Sequence, residues 1–192
     1  MENQEIIIGD SREYLYENIL SKNCICAEVG VDSGVNAERI NNISKPKELY
    51  LIDAWDYSKY RNLPEHYRSQ ELKEKTQNIY EKVIDKFKGN KNIKIIRELS
   101  ADAVKNFKDN YFAWVYIDAG HDYPYVKEDL NIWWPKVKGG GCLCGHDYNN
   151  GGVYSAVNEF IVNNKLELCY KGKDDIITNS TGQISDWCIK KK

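Results

Sequence analysis

The chain has 192 residues, 42% of them hydrophobic, which suits one domain with a core of its own. Twenty-seven basic and 29 acidic side chains leave a net charge of −2, and basic residues cluster only at Lys190-Lys191-Lys192, which argues against nucleic acid as a partner. No apolar run approaches membrane-spanning length and no secretory or transit segment is visible, so the expectation is a cytoplasmic protein with no membrane partner.

Strand and helix patterns alternate along the chain, as in a parallel sheet covered by helices on both faces. Ser11 is placed to cap a helix running to Leu20, so that residues 1–22 read as an N-terminal helical extension. Residues 24–29 read as the first strand, and Glu28-Val-Gly-Val-Asp-Ser-Gly34 as the turn into a helix reaching about Asn41. The second strand, 49–52, is closed by Asp53. The polar, aromatic-rich stretch 55–68 reads as a long loop, and such loops are often functional. Ser69 then caps the longest helix, where Leu72, Thr76, Ile79, Val83 and Phe87 keep helical spacing until Gly89-Asn90.

Residues 92–96 form the third strand and 101–107 a short helix. The fourth strand, 112–117, runs into Asp118. Pro124 suits the first turn of a helix with Val126, Leu130, Trp133 and Val137 on one side, although Pro135 disturbs its end. The fifth strand is 141–145, Val153, Val157, Phe160 and Ile161 mark another helix, and 166–170 and 185–189 read as two final strands. Two of the six cysteines form the pair Cys24/Cys26 and two the pair Cys142/Cys144. Lacking the Cys-x₂-Cys zinc spacing, these thiols are expected to fill the core as small hydrophobes.

The tripeptide His-Asp-Tyr occurs twice, at His121-Asp122-Tyr123 and His146-Asp147-Tyr148, each time just after a strand. If both strands are parallel, their tips gather Asp118, His121, His146 and Asp147, a set suited to a metal, to acid/base chemistry, or to both. Glu28-x-Gly30-x-x-x-Gly34 makes a turn that can approach a ligand closely, and Asp53, 19 residues beyond Gly34, stands where a carboxylate accepts from ribose hydroxyls. Asp32 inside that turn would repel phosphate, which favours an adenosine cofactor with a cationic group over a dinucleotide. Two histidines and a carboxylate are also the ligands of a non-haem iron oxygenase, and a nucleotide-binding protein without turnover is a third reading.

The segment Val115-Tyr-Ile-Asp-Ala-Gly-His-Asp-Tyr123, followed by Val126, Asp129-Leu130, Trp133-Trp134, Lys138-Gly-Gly140, Gly145-His-Asp-Tyr148, residues 153–160 and Trp187-Cys-Ile-Lys190, resembles small class I S-adenosylmethionine-dependent methyltransferases. Within them it is most similar to the macrocin O-methyltransferase and cephalosporin-hydroxylase-like group. The resemblance implies a single Rossmann-like domain with a mostly parallel seven-stranded sheet whose last strand is antiparallel. It implies S-adenosyl-L-methionine as cofactor, with Glu28, Gly30 and Gly34 at its methionine end, Asp53 on the ribose, Ser100 beside the adenine, and Asp118 close by. In metal-dependent relatives the equivalents of Asp118, His146 and Asp147 hold magnesium, although an imidazole is an unusual magnesium ligand. His121 falls where catechol-type relatives carry the lysine that takes the acceptor's proton, which makes His121 and Asp118 the expected catalytic pair. The implied acceptor is a hydroxyl of a small molecule, a sugar or glycan. Homo-oligomerisation is left open.

Overall fold

A computed structural model describes residues 6–9, 11–59, 64–172 and 185–192. Its strands are β1 (Ile7–Gly9), β2 (Ile25–Val29), β3 (Glu48–Asp53), β4 (Ile93–Arg97), β5 (Phe112–Ile117), β6 (Val137–Gly145), β7 (Leu168–Gly172) and β8 (Trp187–Lys190). They form one sheet in the order β1-β7-β8-β6-β5-β2-β3-β4, parallel except where β8 pairs antiparallel with β6 and β7. The helices are α1 (Arg12–Tyr14), which runs on as a π-helical turn over Leu15–Ile19, α2 (Val35–Ser44), α3 (Gln70–Lys86), α4 (Ser100–Ala103), α5 (Tyr123–Trp133) and α6 (Gly151–Asn164).

Burial on both faces explains the unbroken apolar run of β5. Phe112, Val115 and Ile117 join Leu130, Trp133, Val157 and Phe160 on one side, while Trp114 and Tyr116 join Tyr16, Ile40, Leu49 and Leu51 on the other. Both predicted caps form, with Ser11 Oγ accepting from Tyr14 N at 3.2 Å and Ser69 Oγ from Leu72 N at 3.3 Å.

The fold matches the expected Rossmann-like architecture, with four local differences. An eighth strand, β1, precedes the N-terminal helix and pairs with β7, using Ile7 and Ile8 where only a short apolar stretch was visible. Val137 begins β6 instead of ending α5, because Pro135 cannot continue the helical ladder. The helix expected over 101–107 is α4 followed by a 3-10 turn at Val104–Asn106. The 55–68 loop contains 3-10 turns at Tyr57–Lys59 and Glu65–Arg68, and 60–63 lie outside the described residues. All six thiols are free, and five are buried, as expected of core cysteines. No helix among the described residues is long and apolar enough to cross a membrane.

Candidate functional site

Strand register assembles the site. Ile117 of β5 pairs with Gly145 of β6, so Asp118 and His146 are the next residues out on adjacent parallel strands. The expected convergence follows. His121 Nε2 lies 2.9 Å from Asp147 Oδ2 and 3.7 Å from Asp118 Oδ1. His146 Nδ1 lies 3.2 Å from Asp147 Oδ1 and 3.7 Å from Asp118 Oδ1. Each imidazole therefore stands against both carboxylates. The most compact set of potential ligand atoms is that of Asp118, His121 and Asp147, all within 4.8 Å of one another, so the histidine expected to act as base stands among the ligands as closely as His146.

The electrostatics follow from this packing. Hydrogen bonding to Asp118 and Asp147 pushes His121 up to about 10. For His146, burial opposes charging, but the same carboxylates win and raise it to about 9. Asp147 is held well below the usual carboxylate range by the two histidines, and Asp118 is lowered by them despite its burial. At neutral pH the cluster is two imidazolium ions between two carboxylates, a charge distribution that one divalent cation would reproduce.

At the β2 tip, Gly30 has φ +88°, and a Cβ there would overlap the Asp118 carbonyl and come within 2.6 Å of Ala119 Cα. Only glycine lets this turn lie against the β5 tip. Gly34, at φ +73°, begins α2 and sits over Phe87, away from the cavity lining. Asp53 accepts from the backbone N–H groups of Val31 (2.9 Å), Asp32 (3.0 Å) and Trp55 (2.7 Å). It is first the clamp of the turn, with about one lone-pair position left for a ligand. Asp32, Trp55 and Asp147 all have positive φ and all line the cavity.

These tips open into a cavity of about 750 Å³ whose lining includes Glu28, Gly30, Asp53, Asp118, His121, His146 and Asp147. Ser100 is not brought there. Its hydroxyl donates to the buried Asp129 and accepts from Trp133 Nε1 at 2.8 Å, which ties α4 to α5. Nor is it the α4 cap, a place taken by Leu99. Trp55 lines the cavity, whereas Tyr148 packs on Tyr154 and Tyr123 donates to Glu159.

Arg12 escaped the sequence reading because one charged residue at the start of a helix looks like solvated surface. It is 7% exposed, lies 3.4 Å from Asp186 and 3.9 Å from Asp118, and lines the cavity. Asp186 in turn accepts from Tyr116 at 2.5 Å. Tyr57 and Tyr67 of the 55–68 loop also reach the lining, and only the loop's length and aromatic content hinted at this.

Glu28 is buried, accepts from Asn36 Nδ2 at 2.8 Å through Oε1, and has no partner for Oε2. Burial pushes it up to about 8, with Asp118 and Asp53 adding to the rise and Asn36 and Arg12 opposing it. Between its ordinary value of 4.5 and about 8 the unfolded chain has released a proton that the native state keeps, so this group makes stability fall as pH rises. Glu28→Gln removes that loss. Its stability relative to wild type should climb by up to about 1.4 kcal/mol per pH unit through this window and level off above it. Urea unfolding at stepped pH measures the difference, and parallel pH profiles would mean that native Glu28 is already ionised at neutral pH.

Solved structures share this architecture. Spermidine synthase from Thermotoga maritima is 14% identical, with a TM-score of 0.61 and coverage of 95% of this chain but 58% of that one. The SMU.1697c protein of Streptococcus mutans, in complex with SAH, is 14% identical with a TM-score of 0.59, covering 94% and 95%. TrmK of M. capricolum, in complex with S-adenosyl-homocysteine, is 18% identical with a TM-score of 0.62, covering 95% and 69%. No curated protein matches the sequence. The family model described as a methyltransferase domain matches residues 27–148. Because that match covers more than half of the sequence and runs through the strands that frame the cavity, the chain belongs to the methyltransferase-domain family.

Proposed function

We propose that this methyltransferase takes S-adenosylmethionine in its strand-tip cavity and transfers the methyl group to a hydroxyl of a small molecule, a sugar or glycan, with assistance from a divalent ion. The observation that carries the reading is Glu28, a buried carboxyl with an unpartnered Oε2 behind a turn that contains Asp32 and is clamped by Asp53. Such a recess suits an ammonium group and disfavours pyrophosphate. A cation placed there satisfies Oε2 and draws Glu28 into its charged form. The remaining acceptor capacity of Asp53 is available to a ribose hydroxyl.

A methyl sulfonium already carries a good leaving group, so the protein's work is to align sulfur, methyl carbon and acceptor oxygen and to remove the acceptor's proton. Tyr57, Tyr67, Asp56 and Asp122 give the cavity hydrogen-bonding and aromatic walls suited to a hydroxyl-rich acceptor. The similarity to the macrocin O-methyltransferase group supports the same choice. His121, with its side chain 48% exposed against 18% for His146, is the imidazole able to turn toward an acceptor and take its proton.

The residues present fit a divalent ion, since Asp118, His121 and Asp147 offer ligand atoms within 4.8 Å of one another and His146 Nδ1 stands 3.2 Å from Asp147. Asp118 and Asp147 would hold it, with the more buried His146 as nitrogen donor. This mixed nitrogen and oxygen set suits a first-row ion such as manganese better than magnesium. When bound, such an ion supplies polarisation of the acceptor hydroxyl and offsets the negative charge that keeps His121 protonated.

Methyl transfer should fall at least about tenfold after EDTA treatment, and Asp147→Ala should lose the response to added manganese. Activity indifferent to both treatments would end the metal proposal while leaving methyl transfer standing.

A further inference from the structure

Three thiols outside the catalytic cavity form a site of their own. Cys142 on β6, Cys188 on β8 and Cys169 on β7 have sulfur atoms within 4.8 Å of one another and are 7%, 0% and 6% exposed. β8 lies between the other two strands, so Cys188 is the centre of the group. The ladder between β7 and β8 is irregular at Cys169. Leu168 pairs with Ile189 and Tyr170 with Cys188, and the register shift between them leaves Cys169 without a pairing partner. The shift lets Cys169 share a core cluster with Tyr170, whereas Leu168 packs into the opposite one. Continued from Leu168 and Ile189, the antiparallel register sets Cys169 beside Cys188 on one face, and the shift then brings Tyr170 onto that face as well.

Three adjacent strands thus bring three buried sulfurs together on one face of the sheet. Among the described residues no histidine or carboxylate completes the set. Four residues of strand, about 13 Å, separate Cys142 from His146 at the strand tip.

We propose that Cys142, Cys169 and Cys188 form a three-sulfur binding site for Cu(I). Three soft ligands in a nearly water-free recess suit a three-coordinate soft ion, whereas zinc would seek a fourth; Cys144, paired with Cys188 across β6 and β8, is the next thiol but falls outside the set whose sulfurs all lie within 4.8 Å of one another. With metal–sulfur bonds of about 2.3 Å, a trigonal site needs sulfurs about 4 Å apart, which falls inside the 4.8 Å limit that the three already meet. The Cu–S bonds form on thiolate sulfur, each thiol that ionises releases its proton to solvent, and no electron is transferred. The site is independent of the proposed methyl transfer.

The test uses the full chain, reduced and anaerobic, with Cu(I) supplied as its acetonitrile complex against the chelator bicinchoninate. Wild type should retain one equivalent, and X-ray absorption should show three sulfur neighbours. Cys169→Ser and Cys188→Ser should each weaken retention by more than about 100-fold, beyond the usual effect of losing an outer-shell partner, while Cys24→Ser should retain copper. Far-UV circular dichroism establishes that each variant is folded, and the absorption measurement on wild type stands even if one is not. Failure of wild type to retain Cu(I), retention unchanged in folded Cys169→Ser, or an absorption spectrum without three sulfurs would overturn the assignment.

Discussion

His121→Ala should lower turnover by about 100- to 10,000-fold while leaving the affinity for S-adenosylmethionine close to that of wild type. The imidazole lies 2.9 Å from Asp147 and 3.7 Å from Asp118, on the β5 side of the cavity, whereas the recess proposed for the amino group is Glu28. Removing the ring should therefore damage proton removal without emptying the cofactor site. In the ion-free site the two carboxylates raise His121 to about 10, so at neutral pH it is protonated and cannot accept a proton. Its role as base depends on that negative charge being offset, which links this prediction to the effect of EDTA. Turnover numbers and calorimetric titration of the same preparation separate the two quantities. Unchanged turnover would remove His121 from the reaction.

Gly30→Ala should have a comparably large effect by a different route. A methyl group at position 30 overlaps the Asp118 carbonyl and lies 2.6 Å from Ala119 Cα, at a φ of +88° that alanine rarely adopts. Backbone strain and overpacking together should cost about 3 kcal/mol or more, a fall of roughly 6–12 °C in Tm, and should spoil cofactor binding by moving the β2 turn away from the β5 tip. Gly89→Ala is the control, with φ +89° and nothing within 4 Å of the added Cβ. It should lose only the cost of the left-handed conformation, about 1–2 kcal/mol, and bind cofactor as wild type does. Equal losses in the two variants would mean that the close approach of Gly30 to Asp118 does not matter.

The parallel core was legible because its strands are short β-branched or aromatic runs separated by capped helices. The convergence of the doubled His-Asp-Tyr was legible because both copies follow strands, and pairing of Ile117 with Gly145 brings Asp118 and His146 side by side. Arg12 and Asp186 were not visible as a pair because 174 positions separate them and only the fold joins the N-terminal helix to the approach to β8. Ser100 was misplaced for a related reason. Its hydroxyl is engaged by Asp129 and Trp133 of α5, and no local pattern shows which of two neighbours captures a serine. Sequence spacing also could not show that His121 and His146 both stand against the same two carboxylates and differ in exposure.

Calorimetric titration of the wild-type chain with S-adenosylmethionine, S-adenosylhomocysteine and NAD tests the central claim most directly. The account predicts one site for each of the two sulfur nucleosides, weakened by Gly30→Ala, and no measurable heat of binding with NAD. Binding of NAD without either sulfur nucleoside would contradict it.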